Sequence, residues 1–284
     1  MSGVVIDGKQ VAIPGLDARS WADDPRLRLK MGEDGRRRPA TVRWIRAIGL
    51  HTTLGLPFDL KASGAPRILE GAGPATSVER DTVKWWSVDA RHAGAHLIVD
   101  FDGSVSCLAD LRAEETYHAG PVNPYTIGVE IAQRRDGALF EDQLTAVVVL
   151  CDWLTERFRI QRQIPASYVQ GIVIPRCAAG GRDVVGVYGH RDATLSRGYG
   201  DPGDAVFARL EAAGFERLHF RTGEDLDVWK LRQRYLGCDV DGIPGPDTAA
   251  SIVGWQTLQH YPATGVLTPL QREEIDDAAG RMPR

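Results

Sequence analysis

The sequence predicts an α/β protein, in which helices flank a mixed central sheet, followed by a small C-terminal three-helix domain. Strand-like and helix-like segments alternate through most of the 284 residues. After the segment HFRTGEDLD, the pattern changes to three short helices separated by turns that contain Gly and Pro. We therefore expect two domains, residues 1–218 and residues 224–278.

The composition is that of an ordinary globular protein. Hydrophobic residues make up 43%, charged residues 25%, and the net charge is -4. This charge gives no overall basic field for nucleic acid or an anionic membrane, and the basic cluster at residues 36–38 is expected to be a solvated loop. No apolar run approaches the roughly 18 residues that span a bilayer. We expect a monomer with neither a nucleic-acid nor a membrane partner.

The cysteines and the N-terminus bear on where the chain is made. Four scattered cysteines without a CxxC pair fit a reducing site of synthesis. The start MSGVVIDGKQVAIPG lacks the basic residues and apolar core of a signal peptide. We expect synthesis in the cytoplasm without a signal peptide.

The first elements surround a histidine. Residues 1–40 are expected to be irregular, because Pro, Gly and charge interrupt any periodicity. TVRWIRAIGLHTT is then a strand that ends at His51 and carries Ala47, Gly49 and His51 on one face. Residues 55–76 are expected to form a surface loop, and VERDTVKWW a short helix.

The next elements continue the alternation. AHLIVDFDGSVSCLAD predicts a hairpin around Asp102 and Gly103, a dipeptide typical of tight turns. TIGVEIAQ is a strand with Gly128 and Glu130 on its small-residue face. EDQLTAVVVLCDWLTERF is a largely buried helix, DVVGVYGH a strand ending at His190, and DAVFARLEAAG a helix closed by its glycine.

Two histidines and an aspartate are candidate metal ligands. His51 and His190 each end a predicted strand, where α/β sheets gather their sites, and Asp201 follows His190 by eleven residues. A catalytic zinc ion takes three such protein ligands and a water. Alternatively, Asp201 is a helix N-cap with Pro202 at the first helical position. The spacing alone leaves both interpretations open.

Glu130 is the candidate acid–base residue. It interrupts the small-residue face of an otherwise apolar strand. It is either an edge-strand glutamate in solvent or a carboxylate that faces a cleft. In a cleft, burial would raise its pKa and allow it to take a proton from water.

Five segments carry a family resemblance. GLHTT, AHLIVDFDGSV, YHAG, NPYTIGVEI and YGHRD…DPG occur in this order at compatible distances over about residues 40–212. Together they resemble the zinc-dependent N-acetylmuramoyl-L-alanine amidases of the type 2 amidase family. That family includes bacteriophage endolysins, muropeptide-recycling amidases and peptidoglycan recognition proteins. No one segment is decisive, but five in order are specific.

The resemblance implies a cofactor and a reaction. It implies Zn2+ bound by His51, His190 and Asp201, with Glu130 as the general base and acid. A water activated at zinc would cleave the amide between the lactyl group of N-acetylmuramic acid and L-alanine. The expected partner is bacterial peptidoglycan.

Three further residues are candidates for contact with the substrate. His118 in YHAG matches a residue that lines the cleft, with a structural role as the alternative. His96 lies in the cleft wall or serves in packing. Asn123 contacts substrate or shapes a turn.

One position departs from the family pattern. The family often has a lysine two residues before the third ligand, where it is thought to stabilise the oxyanion. Tyr199 stands there in this sequence. Either Arg197 or Tyr199 would donate to the developing charge, and Arg197 is favoured because a cation best replaces a cation.

The C-terminal segment carries a second resemblance. It is similar to three-helix peptidoglycan-binding domains with a D-G-x-x-G-x-x-T turn, which is Asp241, Gly242, Gly245 and Thr248 here. An unrelated three-helix domain is the alternative. Tethering to the wall would raise the local concentration of an amidase.

The resemblances together indicate an endolysin-like lytic amidase that acts at the bacterial cell wall after release or export. Two alternatives stay open. The first is a muropeptide-binding protein of the same fold without catalysis, and the second is a zinc peptidase that cuts within the stem peptide.

Overall fold

A computed structural model describes most of the chain. The described residues are 2–30, 38, 44–54, 68–70, 78–87, 93–134, 137–164, 185–190, 201–217, 223–240, 246–265 and 267–282. The strands are β1 (Val4–Ile6), β2 (Lys9–Val11), β3 (Ala18–Ser20), β4 (Ala47–Leu54), β5 (Ile68–Leu69), β6 (Leu97–Val99), β7 (Val105–Cys107), β8 (Thr126–Gln133), β9 (Leu139–Phe140), β10 (Gln163–Ile164), β11 (Gly186–Gly189) and β12 (Glu216–Arg217). The α-helices are α1 (Val78–Trp86), α2 (Glu141–Phe158), α3 (Asp204–Ala212), α4 (Gly223–Leu236), α5 (Pro246–Leu258) and α6 (Pro269–Gly280).

A six-stranded mixed sheet forms the centre of the fold. Its strand order is β11-β4-β8-β6-β7-β3, and only the β6–β7 hairpin pairs antiparallel. β4 and β8 pair along all eight residues of each strand. The predicted fold class, a mixed sheet with helices, is confirmed.

The two faces of the sheet differ in character. Alternate residues of β4 and β8 point to opposite faces, so the large apolar residues separate from the small and polar ones. The apolar face packs against the buried side of α2 in one hydrophobic cluster. Its members include Ile48, Leu50, Ile127, Val129, Ile131, Leu144, Val147, Leu150 and Leu154. The opposite face, with glycines and polar groups, is therefore left for a site.

The N-terminal segment differs from the sequence prediction. Instead of being irregular, it forms the β1–β2 hairpin, and β3 adds to the edge of the central sheet. Each of these strands has three residues, which is too few for an alternating pattern to stand out. The strand around His51 also continues to Leu54, so this histidine lies inside β4 rather than at its end.

Arg38 is not the solvated loop residue that the basic cluster predicted. Its guanidinium donates to the carbonyl oxygens of Asn123, Pro124, Leu111 and Thr126. Burial lowers the pKa of Arg38 to about 10. Arg38 therefore satisfies backbone acceptors at Leu111 and at residues 123–126, where β8 begins.

The C-terminal helices have a hydrophobic cluster of their own. Among the described residues, Gln161 Nε2 donates to the Gly265 carbonyl at 2.8 Å and Arg272 pairs with Glu216 at 3.1 Å, so these helices also contact the rest of the chain. The buried members of the cluster are Trp229, Ile252, Leu267 and Ile275. All four come from residues beyond the predicted domain boundary.

The described ranges contain neither a membrane-spanning helix nor a disulfide bond. No helix there is long and apolar enough to cross a bilayer. Cys107, Cys151 and Cys238 form no disulfide.

Candidate metal centre and active site

Two histidines and an aspartate meet over the small-residue face of the central sheet. Each offers a ligand atom, and these atoms all lie within 4.8 Å of one another. His51 Nδ1 and His190 Nδ1 are 2.8 Å apart, and His190 Nδ1 is 3.3 Å from Asp201 Oδ2. Both histidines are buried, and Asp201 is partly buried. Residues separated by up to 150 positions thus form one compact cluster of donor atoms.

The strand register brings the two histidines together. β4 and β11 are parallel neighbours, and Leu50 pairs with Gly189. The residue after each of these is a histidine, so His51 and His190 lie side by side. The fold alone therefore places these rings against each other.

Asp201 is held in place by the backbone of β4. Its Oδ1 accepts the Thr52 N–H at 2.9 Å, while Oδ2 faces His190. α3 begins after Asp201, with Gly203 as N-cap and no side-chain capping bond. The alternative in which Asp201 caps the helix with Pro202 at its first position is therefore wrong.

The environment of Asp201 keeps its carboxylate ionised. Burial alone would raise the pKa, but the hydrogen bond from His190, the charges of His51 and His190 and the Thr52 N–H together outweigh it. The pKa of Asp201 therefore lies below its ordinary value. An ionised carboxylate is the form that binds a metal.

The donor set fits a zinc ion. Two imidazole nitrogens and one carboxylate oxygen are ligands that Zn2+ prefers, and three protein ligands leave the fourth position open, as catalytic zinc sites do. A tetrahedral ion with bonds of about 2.0–2.1 Å separates its ligand atoms by roughly 3.3 Å. Two of the three separations, 2.8 and 3.3 Å, are close to this value, and the third, between His51 and Asp201, is within 4.8 Å.

Glu130 lies beside His51. The two residues are register partners on β4 and β8, and partners on parallel neighbours project from the same face. The preceding pair on that face is Gly49 and Gly128. Glu130 is partly buried, and its Oε2 is closed to solvent. The sheet therefore presents a carboxylate next to the cluster of ligand atoms.

His118 lies behind His51, with 6% of its surface exposed. Its Nδ1 is 2.9 Å from His51 Nε2, and its Nε2 is 2.8 Å from Thr126 Oγ1. Burial, followed by the nearby His96, His190 and Arg38, holds the pKa of His118 well below its usual range. Both ring nitrogens are bonded within the protein, which favours the structural alternative over substrate contact.

Asn123 shapes the turn that carries His118. Its Oδ1 accepts the backbone N–H groups of His118 and Ala119 at 3.2 and 2.6 Å. Its side chain is 5% exposed. This favours the turn role that the sequence left open.

His96 is fully buried and ties β6 to β8. Its Nδ1 accepts the Gly128 N–H at 3.0 Å and also contacts Thr116 Oγ1 at 2.9 Å. A nitrogen that accepts a backbone N–H carries a lone pair, so the proton is on Nε2, which donates to the Glu114 carbonyl at 3.0 Å. Arg38 lies 2.9 Å from the same Nε2, but both groups are then donors and form no hydrogen bond.

The buried His96 should make the fold sensitive to acid. Burial, followed by the Arg38 charge, holds the pKa of His96 well below 6.5 in the folded state. A group whose pKa is lower in the folded than in the unfolded protein stabilises the fold at a pH above its unfolded pKa. This stabilisation is lost as the pH falls towards the folded pKa. Below pH 6.5, the free energy of unfolding should fall by up to about 1.4 kcal/mol per pH unit for this residue. Urea unfolding of the chelator-treated protein between pH 7.5 and 5.5 measures the slope, and a flat profile would contradict it.

Arg197 and Tyr199 lie outside the described residues, so their roles stay predictions. Two contributors to the site escaped the sequence reasoning. The Thr52 N–H is a backbone group without a residue-type signal. Thr126 lies within the NPYTIGVEI segment, but only the contact with His118 reveals its use.

The fold and the cluster define an α/β protein with a group of three residues that could hold a metal ion. The N-acetylmuramoyl-L-alanine amidase family Amidase_2 matches residues 44–204, which is more than half of the chain. The chain belongs to this family. The matched region includes His51, Glu130, His190 and Asp201.

Solved structures similar to this chain have low sequence identity. The N-acetylmuramoyl-L-alanine amidase LysC from Clostridium intestinale URNW is 16% identical over 58% of this chain and 97% of its own, with a TM-score of 0.31. Drosophila peptidoglycan recognition protein SD is 14% identical over 71% and 96%, with a TM-score of 0.42. A mutant endolysin from Bacillus subtilis is 16% identical over 58% and 99%, with a TM-score of 0.31. A search of curated proteins gave no significant match, so the assignment rests on the family match.

Proposed function

We propose that the chain is a zinc-dependent peptidoglycan hydrolase that cleaves the amide between N-acetylmuramic acid and L-alanine. The observation that carries the proposal is the cluster of His51, His190 and Asp201, with donor atoms within 4.8 Å, next to Glu130. The family match covers the same residues.

Three side chains would hold the metal. The Nδ1 atoms of His51 and His190 and the Asp201 carboxylate face one another, and the Thr52 N–H keeps that carboxylate turned inward. When bound, zinc would supply a Lewis acid for the scissile carbonyl and lower the pKa of its water to about 7.

Glu130 would move the proton. It accepts a proton from the water that attacks the carbonyl carbon, and it returns a proton to the nitrogen as the carbon–nitrogen bond breaks. The products are a lactyl carboxylate on N-acetylmuramic acid and a peptide with a free L-alanine amine. Glu130 lies beside His51 on the same face of the sheet, which would give the carboxylate access to that water.

Arg197 is the proposed donor to the oxyanion, with Tyr199 as the alternative. Loss of one such donor typically costs about 10²–10³ in kcat. We expect Arg197→Ala to lower kcat by an amount in this range, and Tyr199→Phe to lower it much less. Initial rates at saturating muropeptide measure both variants. A larger loss in Tyr199→Phe would reverse the assignment.

The products of digestion test the proposed reaction. Purified peptidoglycan is digested, and the soluble fragments are analysed by mass spectrometry. We expect intact N-acetylmuramic acid ends and free L-alanine amines. Fragments cut only within the stem peptide would show a peptidase, and binding without any new ends would show a recognition protein.

We also propose that residues 224–278 form a peptidoglycan-binding domain. A separate hydrophobic cluster around Trp229 supports an independent fold for the three helices. The turn residues Asp241, Gly242 and Gly245 lie outside the described residues. A wall-bound domain would hold the catalytic domain near its polymeric substrate. The enzyme would act at the cell wall after endolysin-type release, with a secreted effector as the alternative.

The core of this domain offers a test. Trp229 is 3% exposed, and Trp229→Ala should cost about 3–5 kcal/mol, enough to unfold a unit of this size. We expect the variant to stop sedimenting with insoluble peptidoglycan while it keeps its zinc. Leu258→Ala is the matched control, because this side chain is 77% exposed and its truncation should leave the domain folded and able to sediment. Undiminished sedimentation of an unfolded C-terminal unit would contradict the proposal.

A further inference from the structure

A buried hydrogen-bonded chain joins a main-chain carbonyl to one candidate metal ligand. Thr126 Oγ1 is 3.0 Å from the Val122 oxygen and 2.8 Å from His118 Nε2. His118 Nδ1 is 2.9 Å from His51 Nε2, and His51 Nδ1 faces His190. The four side chains of this hydrogen-bonded chain, which are Thr126, His118, His51 and His190, are all buried. The chain therefore runs without solvent from the backbone to the cluster.

The chemistry of the groups fixes the direction of every proton. A carbonyl oxygen only accepts, so the Thr126 hydroxyl donates to Val122 and must accept from His118 Nε2. A neutral His118 then has its lone pair on Nδ1, which accepts the proton of His51 Nε2. His51 is left with its lone pair on Nδ1, the atom that faces the other ligands.

The opposite direction is disfavoured. It would put a proton on His51 Nδ1, where a metal needs a lone pair, and would remove the Thr126 donor from the Val122 carbonyl. A buried carbonyl that loses a donor costs free energy. The Val122 carbonyl thus selects the tautomer of His51.

The ring of His118 packs against two glycines of the central sheet. Gly49 and Gly128 are register partners, and a Cβ on Gly128 would lie 2.6 Å from His118 Cγ. A Cβ on Gly49 would lie 3.1 Å from His118 Cε1. The two absent side chains let the ring lie close to the sheet, while Asn123 fixes its backbone.

We propose that His118 and Thr126 are positioning residues that hold His51 in the Nε2–H tautomer, with its Nδ1 lone pair directed to the metal. Neither residue touches the reacting atoms. The inference rests on the proposed metal site. Loss of an outer hydrogen-bond partner typically weakens metal binding by about 10–100-fold.

Thr126→Val tests the chain with nearly constant volume. We expect the zinc dissociation constant, measured by competition with a chromophoric chelator, to rise by about 10–100-fold. Thr126→Ser, which keeps the hydroxyl, should restore binding close to that of the wild type. Thr116→Val is the matched control. Thr116 is also buried, and its hydroxyl contacts His96, a histidine that is not part of this hydrogen-bonded chain. Its zinc affinity should be unchanged.

The nitrogen-15 NMR spectrum of the metal-free wild type reads the tautomer without any substitution. We expect a protonated Nε2 and an unprotonated Nδ1 for His51, even if Thr126→Val fails to fold. A proton on Nδ1, or equal zinc affinity in a folded Thr126→Val, would overturn the inference. A wild type that binds no zinc would instead contradict the proposed metal site, so the two failures are distinguishable.

Discussion

Glu130→Gln is expected to lose most amidase turnover and to retain zinc. The glutamine keeps the shape of the side chain but cannot take a proton from water, so a loss of about 10²–10⁴ in kcat is expected. Glu130 is not one of the three clustered ligands, and it is the register partner of His51 on the neighbouring strand. Zinc content and amine release from purified peptidoglycan measure the two effects separately.

Glu141→Gln is the matched control for this substitution. Glu141 lies in the first turn of α2 at the surface, where its ion pair with Arg209 is worth little. Its activity should equal that of the wild type. Turnover at the wild-type rate in Glu130→Gln would remove Glu130 from the mechanism.

Asp201→Asn is expected to lose zinc and activity together. The amide could still accept the Thr52 N–H, but it lacks the charge that the carboxylate presents to the metal. The loss of zinc affinity should exceed the roughly 10–100-fold that is typical of outer partners. Chelator competition and amine release measure it.

Asp204→Asn makes the same chemical change three residues later. Asp204 lies in the first turn of α3, where a carboxylate typically adds about 0.3–1 kcal/mol to helix stability. Its zinc affinity should match that of the wild type. Retention of wild-type affinity in Asp201→Asn would show that Asp201 is not a ligand.

The elements that the sequence predicted well have long and strong patterns. The bounds of α1, α2 and β8 agree with the predicted segments because each pattern extends over at least eight residues. The three-residue strands β1 to β3 have no comparable signal. Arg38 was missed because a buried arginine that serves backbone carbonyls looks like a loop residue in sequence.

The site was predictable in its residue types but not in their connections. The spacing alone left the metal site open, and the resemblance to the type 2 amidases implied His51, His190 and Asp201 as a group, which the structure brings together. Whether Asp201 caps α3 depends on which backbone N–H its carboxylate accepts. In the structure it accepts the Thr52 N–H, and Gly203 is the N-cap of α3. The position of His118 behind His51 depends on register-paired glycines, a relation between strands far apart in sequence.

Amine release from purified peptidoglycan, followed before and after removal of zinc, tests the central claim most directly. The 284-residue chain should carry about one zinc ion and release free L-alanine amines. Release should stop when a chelator removes the metal and should return when zinc is added back. An unchanged rate of release from protein shown to be free of metal would contradict the proposed function.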